Sequence, residues 1–118
     1  MIIAQISDTH INLNTPGSDQ RLLDFETVIH DINSLDPQPN LIIHSGDIVQ
    51  NGRMEEYAEA TRILSKATAP VYVMAGNKDN RKNLKKSFAK DTYISAVSKF
   101  IEYEINDFPI RLIMVDTL

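Results

Sequence analysis

The chain contains the stretch Leu41-Ile42-Ile43-His44-Ser45-Gly46-Asp47, a mainly apolar run that stops at a glycine and an acid. Two other runs have the same form: Ile2 to Ser7 precedes Asp8, and Val71 to Ala75 precedes Gly76. Continuous runs of branched residues are typical of parallel strands that are covered on both faces. The sequence therefore predicts three buried parallel strands, each followed at once by a polar loop.

Helical patterns separate the three runs. Apolar residues recur at every third or fourth position from Arg21 to Leu35 and again from Met54 to Ala67, which predicts a helix in each range. A short basic helix is expected from Arg81 to Lys90. This order gives right-handed crossovers and a mostly parallel sheet with helices packed on it, an α/β fold. Two later segments, Lys99 to Ile105 and Ile110 to Asp116, predict a C-terminal antiparallel strand pair.

The composition is that of one domain at most. The chain has 118 residues, 42% of them apolar and none of them cysteine, so any bound metal must be held by oxygen and imidazole. A net charge of −4 argues against sequence-blind nucleic-acid binding. No run approaches the roughly 18 apolar residues of a membrane helix, and the N-terminus has no signal-peptide pattern. We therefore expect no membrane partner and a cytoplasmic location.

Hard-metal ligands follow each predicted strand. Asp8 and His10 are two residues apart, so an extended backbone would project both side chains to the same side. Asp47 follows Gly46, which allows a sharp turn and leaves the carboxylate free to bridge two ions. Asn77 would offer a neutral amide oxygen to the second ion. Because ligands bind at the carboxyl ends of parallel strands, the sequence predicts a two-metal site at this edge.

The same blocks carry a resemblance to a known family. The calcineurin-like metallophosphoesterases have D-x-H, G-D and G-N-H-D/E blocks, which this chain resembles at Asp8-Thr9-His10, Gly46-Asp47 and Gly76-Asn77-Lys78-Asp79. Two further stretches are similar to the cyclic-nucleotide phosphodiesterase branch, namely residues 46–52 and 79–81. The resemblance implies half of a four-layer αββα sandwich. Residues 1–118 are accordingly expected to form a single partial domain, the N-terminal half, with the C-terminal half absent.

The resemblance also implies an activity, that of a metal-dependent phosphohydrolase. Such an enzyme is expected to be a phosphodiesterase whose substrate is a small phosphoester or a cyclic nucleotide. Asp8, His10 and Asp47 would hold the first of two ions, which in this family are Fe, Mn or Zn. Asp47 would bridge to the second ion, where Asn77 also binds. A water activated by the dinuclear centre attacks phosphorus, so no serine or cysteine nucleophile is needed.

Two departures from the family pattern concern catalysis. Lys78 and Asp79 stand at the catalytic positions, but Lys78 replaces a histidine, and an ammonium with a pKa of about 10.4 is a poor proton donor at neutral pH. Arg81 is the candidate substrate-binding residue, because its fork matches phosphate oxygens. The family's remaining histidine ligands, including a G-H-x-H block, lie in its C-terminal half. His30 and His44 do not replace them and are expected to be surface or packed histidines.

Two alternatives stay open. One is a catalytically inactive relative that keeps the scaffold as a binding module, which Lys78 and the missing histidines would explain. The other is a small doubly wound nucleotide-binding domain, but no strand is followed by a G-x-G-x-x-G or G-x-x-x-x-G-K-S/T loop. Without a second full sheet, one face of the first is expected to be uncovered, which predicts self-association.

Overall fold

The computed structural model describes all residues from Met1 to Leu118 and contains five strands and three helices. The strands are β1 (Ile3–Ile6), β2 (Leu41–His44), β3 (Val71–Val73), β4 (Tyr103–Ile105) and β5 (Leu112–Met114). The helices are α1 (Ser18–Asn33), α2 (Met54–Leu64) and α3 (Arg81–Ser87). The type and order of all eight elements agree with the prediction from sequence. The predicted bounds are in general a few residues too long, although α1 begins three residues before the predicted Arg21.

The strands form two sheets. β1, β2 and β3 are parallel neighbours in that order, with Ile3 opposite Leu41 and Ile42 opposite Val71. β4 and β5 pair in antiparallel fashion as a separate two-stranded sheet. The α/β class, the parallel first sheet and the C-terminal antiparallel pair are therefore confirmed. They are consistent with a partial αββα metallophosphoesterase sandwich.

The helices pack on one face of the parallel sheet. Because the strands lie side by side in chain order, two right-handed crossovers bring α1 and α2 to the same face. The apolar stripes of both helices are buried in one cluster that also includes Val73 of β3. Its members from α1 and α2 are Phe25, Ile29, Tyr57, Ala60, Ile63 and Leu64. No helix has both the length and the apolar content needed to cross a membrane.

The prediction that all three runs are covered on both faces is wrong for β1. This strand lies at the edge of the sheet and none of its four residues is fully buried. Ile3 and Gln5 are exposed whereas Ala4 and Ile6 are half-buried, so only one face of β1 packs on the helices. In the central strand β2, by contrast, three of four residues are buried. An apolar run alone does not distinguish an edge strand from a central one.

Tyrosine hydroxyls join the second sheet to the edge of the first. Tyr103 Oη, on β4, donates to the Val73 carbonyl at 2.6 Å, and Tyr93 Oη donates to the Val71 carbonyl at 3.4 Å. The rings of Tyr93 and Tyr103 also contact each other, with centroids 4.7 Å apart. The β4–β5 pair is thereby fixed beside β3, and the carboxyl ends of the three parallel strands are left to form the site described next.

Candidate metal centre

Three of the predicted ligands converge at the carboxyl ends of β1 and β2. The ligand atoms of Asp8, His10 and Asp47 all lie within 4.8 Å of one another. His10 Nε2 is 3.3 Å from Asp8 Oδ1 and 3.7 Å from Asp47 Oδ2. Asp8 is largely exposed, while Asp47 and His10 are mostly covered. Two carboxylates and one imidazole at this spacing are a donor set that suits a divalent transition metal.

The three ligands share an unusual backbone conformation. Asp8, His10 and Asp47 have φ angles of 57°, 44° and 51°, all in the left-handed region. Residues other than glycine are uncommon there, and such conformations cluster at functional sites because surrounding contacts have to hold them. The extended backbone that we expected across Asp8 and His10 is therefore wrong. Turn geometry, and not strand alternation, brings their side chains together.

Main-chain hydrogen bonds hold the two ligand loops side by side. Asp8 N donates to the Gly46 carbonyl and His10 N donates to the Asp47 carbonyl, both at 3.0 Å. Ile11 N donates in the same way to the Ile48 carbonyl. The pairing of β1 with β2 thus continues past the ends of both strands. It fixes the spacing between the ligands of the first loop and Asp47.

Glycines allow the third loop to reach Asp47. A Cβ atom at Gly76 would overlap Asp47 Oδ1 and the Asp47 main-chain nitrogen, and a Cβ at Gly46 would lie 2.7 Å from Gly76 N. Lys78 N then donates to Asp47 Oδ1 at 2.8 Å. One carboxylate oxygen of Asp47 is therefore held by the third loop, while the other faces His10. The expected sharp turn at Gly46, which has a φ of 118°, and the close approach at Gly76 are both present.

Neighbouring polar groups orient the first-loop ligands. His10 Nδ1 lies 2.9 Å from Gln50 Oε1, and an amide oxygen only accepts, so Nδ1 carries the hydrogen and Nε2 faces the carboxylates. Ser7 Oγ donates to Asp8 Oδ2 at 2.5 Å. The Ser7 hydroxyl lowers the pKa of Asp8 below its ordinary value. Asp8 is accordingly ready to act as an anionic ligand at neutral pH.

Asn77 and Lys78 lie on the exposed third loop. Both residues are exposed, and the Asn77 carboxamide makes no hydrogen bond. The two neighbours of Asn77 contact Asp47, through the close approach of Gly76 and the main-chain bond from Lys78. Metal binding by Asn77 and a catalytic role for the Lys78 ammonium stay predictions.

Asp79, which sequence reasoning assigned to catalysis, is buried beneath the site. Its carboxylate accepts from three main-chain nitrogens, at 3.2 Å from Ile48, 3.4 Å from Val49 and 2.9 Å from Gly76. Tyr57 Oη donates to the same carboxylate at 2.8 Å. The carboxylate therefore ties the loop after β2 to the loop after β3. This arrangement suits a residue that positions Asp47 and not one that reacts with substrate.

Arg81 is bound to an acid at the far end of the chain. Its Nε and Nη2 donate to the two oxygens of Asp116 at 2.8 Å each, and its guanidinium lies 5.2 Å from the centroid of the Phe100 ring. Asp116 also accepts from Ile101 N and Leu118 N, and the Arg81 guanidinium lowers the pKa of Asp116. The guanidinium group that we expected to bind phosphate is thus bound to a carboxylate. Substrate binding by Arg81 stays a prediction.

His44 is a buried, hydrogen-bonded residue, as expected for a packed histidine, whereas His30 is a surface residue. Gly46 N donates to His44 Nδ1 at 3.3 Å, and His44 Nε2 lies 2.9 Å from Thr9 Oγ1. Thr9 Oγ1 in turn lies 2.9 Å from the Ile48 carbonyl. Burial lowers the pKa of His44 to about 4, so the ring is neutral at physiological pH.

A cleft opens beside the first ligand loop. It has a volume of about 420 Å³ and runs between that loop and the exposed side of α1. Arg21 Nη1 donates to the His10 carbonyl at 3.3 Å, which brings a cation to the rim. The lining residues are Ser7, Asp8, Thr9, His10, Arg21, Asp24, Phe25 and Val28. The cleft is large enough for a small ligand that reaches the Asp8 and His10 side chains.

Four residues that contribute to the site were not singled out for it from the sequence: Thr9, His44, Gln50 and Tyr57. Tyr57 was assigned to the buried stripe of α2, which is correct for its ring but leaves out the hydroxyl. Gln50 is three residues after Asp47, and this spacing does not predict a contact with His10 until the turn at Asp47 is known. The one available signal was His44, a histidine inside an otherwise apolar strand.

Comparisons with known proteins agree with this geometry. Residues 1–115 match the family model described as calcineurin-like phosphoesterase. The chain is 37% identical to the "Probable glycerophosphodiester phosphodiesterase GpdQ" of Arcobacter nitrofigilis, over 99% of this chain and 44% of that protein. It is 29% identical to the glycerophosphodiester phosphodiesterase GpdQ of Enterobacter lignolyticus, with the same two coverages.

A third relative is the 3',5'-cyclic adenosine monophosphate phosphodiesterase CpdA of Pseudomonas aeruginosa, 27% identical over 74% of this chain and 33% of that protein. The chain thus spans less than half the length of the curated relatives it matches. The family model nevertheless covers nearly every residue, including all three ligand loops. The chain belongs to the calcineurin-like phosphoesterase family.

Proposed function

We propose that this protein is a metal-dependent phosphohydrolase, a phosphodiesterase with a dinuclear metal centre. The observation that carries the proposal is the convergence of Asp8, His10 and Asp47 within 4.8 Å at the carboxyl ends of two parallel strands. Membership of the calcineurin-like phosphoesterase family and the names of the relatives support the same reaction class.

The donor set fits a first ion. Asp8 and Asp47 supply carboxylate oxygens, and His10 supplies Nε2, whose direction is set by the bond between Nδ1 and Gln50. The left-handed backbone at all three positions supports this assignment, because such conformations cluster at functional sites. We assign Asp8, His10 and Asp47 to the first ion, of the Fe, Mn or Zn type.

A second ion would lie toward the loop after β3. Asp47 is the proposed bridge, since Lys78 N holds its Oδ1 on the side of that loop while its Oδ2 faces His10. Asn77 is the proposed neutral ligand, because it lies between two residues that contact Asp47. When bound, the two ions supply a water activated for attack on phosphorus and offset the charge of the phosphate oxygens.

The protein's own groups have separate roles in this proposal. Lys78 supplies a cation near the leaving group in place of a histidine, and this cation would stabilise the negative charge that develops there. Asp79 is reassigned from catalysis to positioning, since four donors already occupy its buried carboxylate. The cleft beside Asp8 and His10 would receive one side of the ester.

The proposed substrate is a small phosphodiester. Two relatives are named for glycerophosphodiesters and one for a cyclic nucleotide, and the identities to the first two are the higher. A glycerophosphodiester is therefore the first substrate to test and 3',5'-cyclic AMP the second. Self-association through the uncovered face of the first sheet, the single partial domain and the cytoplasmic location also stay predictions.

A catalytically inactive binding module is the second candidate, favoured by the lysine at position 78. The two candidates differ in turnover and not in metal binding. Calorimetric titration with Mn²⁺ and hydrolysis of bis(p-nitrophenyl) phosphate, measured on the same preparation, therefore distinguish them. Bound metal without hydrolysis in a full-length chain would favour the module.

A variant pair makes the experiment specific for the site. Asp47→Asn keeps the shape of the side chain but removes its charge, and we expect it to lose Mn²⁺ binding at concentrations that saturate the wild type. Asp31→Asn removes the same charge from the exposed surface of α1 and should bind normally. Equal Mn²⁺ affinity in the wild type and Asp47→Asn would refute the metal assignment.

A further inference from the structure

His44 makes one hydrogen bond to each of the two loops that carry the first ion's ligands. Its side chain is fully buried, and its two ring nitrogens contact Gly46, next to Asp47, and Thr9, between Asp8 and His10. A histidine that only filled space in the core would need no partner on either loop. The contacts therefore call for an explanation in terms of the loops.

The partners fix the direction of every hydrogen bond in this network. Because Gly46 N–H donates to Nδ1, that nitrogen carries no hydrogen in the neutral ring, so Nε2 carries it and donates to Thr9 Oγ1. The Thr9 hydroxyl then gives its one hydrogen to the Ile48 carbonyl. Each hydrogen-bond donor of this network therefore has one acceptor. A complete buried network of this kind rigidifies the groups that it joins.

The network contacts the two loops whose backbone conformation is unfavourable. Asp8 and His10 flank Thr9 and have left-handed φ angles, and Asp47 lies between Gly46 and Ile48 and shares that conformation. A left-handed residue other than glycine costs about 1–2 kcal/mol relative to ordinary backbone, so each loop needs contacts that hold it. Thr9 and His44 supply a side-chain contact on both sides of the site.

We propose that His44, acting through Thr9 and Gly46, is a positioning residue that holds the two ligand loops in their metal-binding conformation. This inference rests on the proposed function, because it assigns an organising role at the same metal centre. His44 touches neither the ligand atoms nor the substrate in this account. Its effect is expected in metal affinity first and in turnover only as a consequence.

The test is Mn²⁺ affinity measured by calorimetry on variants of the network. Thr9→Val keeps the shape of the side chain but removes the hydroxyl, and His44→Val removes both ring contacts. We expect each to weaken Mn²⁺ binding about ten- to a hundredfold, the usual effect of losing a group that orients a ligand. Because both variants break the same network, the double variant should be little weaker than either single one. Thr9→Ser, which keeps the hydroxyl, should bind within about threefold of the wild type.

A control separates positioning from general stability. Ile63 is buried in the core cluster and lies in neither the cleft nor a ligand loop, so Ile63→Val should lower the denaturation midpoint and leave Mn²⁺ affinity unchanged. If His44→Val does not fold, the Thr9 variants still test the proposal. Folded Thr9→Val with wild-type Mn²⁺ affinity would overturn the role of the network. A wild type that binds no Mn²⁺ would overturn the proposed function as well.

Discussion

Replacing Tyr57 by phenylalanine would remove a single hydroxyl from the fully buried side of α2. That hydroxyl donates to Asp79 Oδ1 at 2.8 Å and accepts from Asn80 N at 3.0 Å. Burial, followed by the nearby charge of Asp79, raises the pKa of Tyr57, so the phenol stays protonated and remains a donor. The variant keeps the aromatic ring in the core and therefore isolates the hydrogen bonds.

The size of the effect follows from the acceptor. A hydrogen bond to a charged group contributes about 1.5–3 kcal/mol to stability, against about 0.5–1.5 kcal/mol for a neutral pair. The part-buried bond from Asn80 N to the hydroxyl joins two neutral groups, so its loss contributes the smaller share. We expect Tyr57→Phe to lower the free energy of unfolding by about 2 kcal/mol. With a urea m-value of about 2 kcal/mol/M, the midpoint should fall by about 1 M.

Tyr103→Phe is the matched control for this measurement. Its hydroxyl donates to the neutral carbonyl of Val73, so its loss should cost about 1 kcal/mol. Urea unfolding of both variants, followed by circular dichroism, gives the comparison directly. If Tyr57→Phe costs no more than Tyr103→Phe, the charge-assisted bond to Asp79 does not hold the loops as we infer.

Three other perturbations test separate parts of the structure. Gly76→Ala should push Asp47 out of position, so Mn²⁺ binding should be lost and the free energy of unfolding should fall by about 1–3 kcal/mol. A normal Mn²⁺ affinity of this variant, measured by calorimetry, would contradict the close approach of Gly76 to Asp47. The pKa of His44 is lower in the folded chain, about 4 against 6.5, so the unfolded state binds the proton first as the pH falls. Metal-free protein should therefore lose about 3 kcal/mol of stability between pH 6.5 and 4, and urea titrations of His44→Gln should lack this part of the loss. Arg81→Lys should weaken the pair with Asp116 and lower the denaturation midpoint, whereas a raised KM at unchanged stability would restore the phosphate-binding prediction.

The fold could be predicted from the sequence because its signals are local. Branched apolar runs and three- and four-residue periodicity each depend on short stretches, and together they predicted the right order of eight elements. The exposure of β1 could not be predicted in this way. Whether a strand is central or at an edge depends on which strands become its neighbours, which no property of residues 3–6 determines.

The site was predictable in identity but not in geometry. Asp8, His10 and Asp47 were recognisable as candidate ligands from their places after two of the strands, and the structure brings them together. The supporting contacts were not, because Tyr57 and Asp79 are 22 residues apart in sequence and meet only in the folded chain. Likewise, Arg81 appeared free to bind phosphate because its partner Asp116 lies 35 residues away.

The left-handed backbone at the three ligands has a consequence for evolution and engineering. Glycine at position 8, 10 or 47 would relieve about 1 kcal/mol of backbone energy at each site. Selection for thermal resistance alone would therefore favour loss of the ligands. Consensus or computational stabilisation of this chain should exclude these three positions, since the changes that most improve the empty scaffold are those that abolish its chemistry.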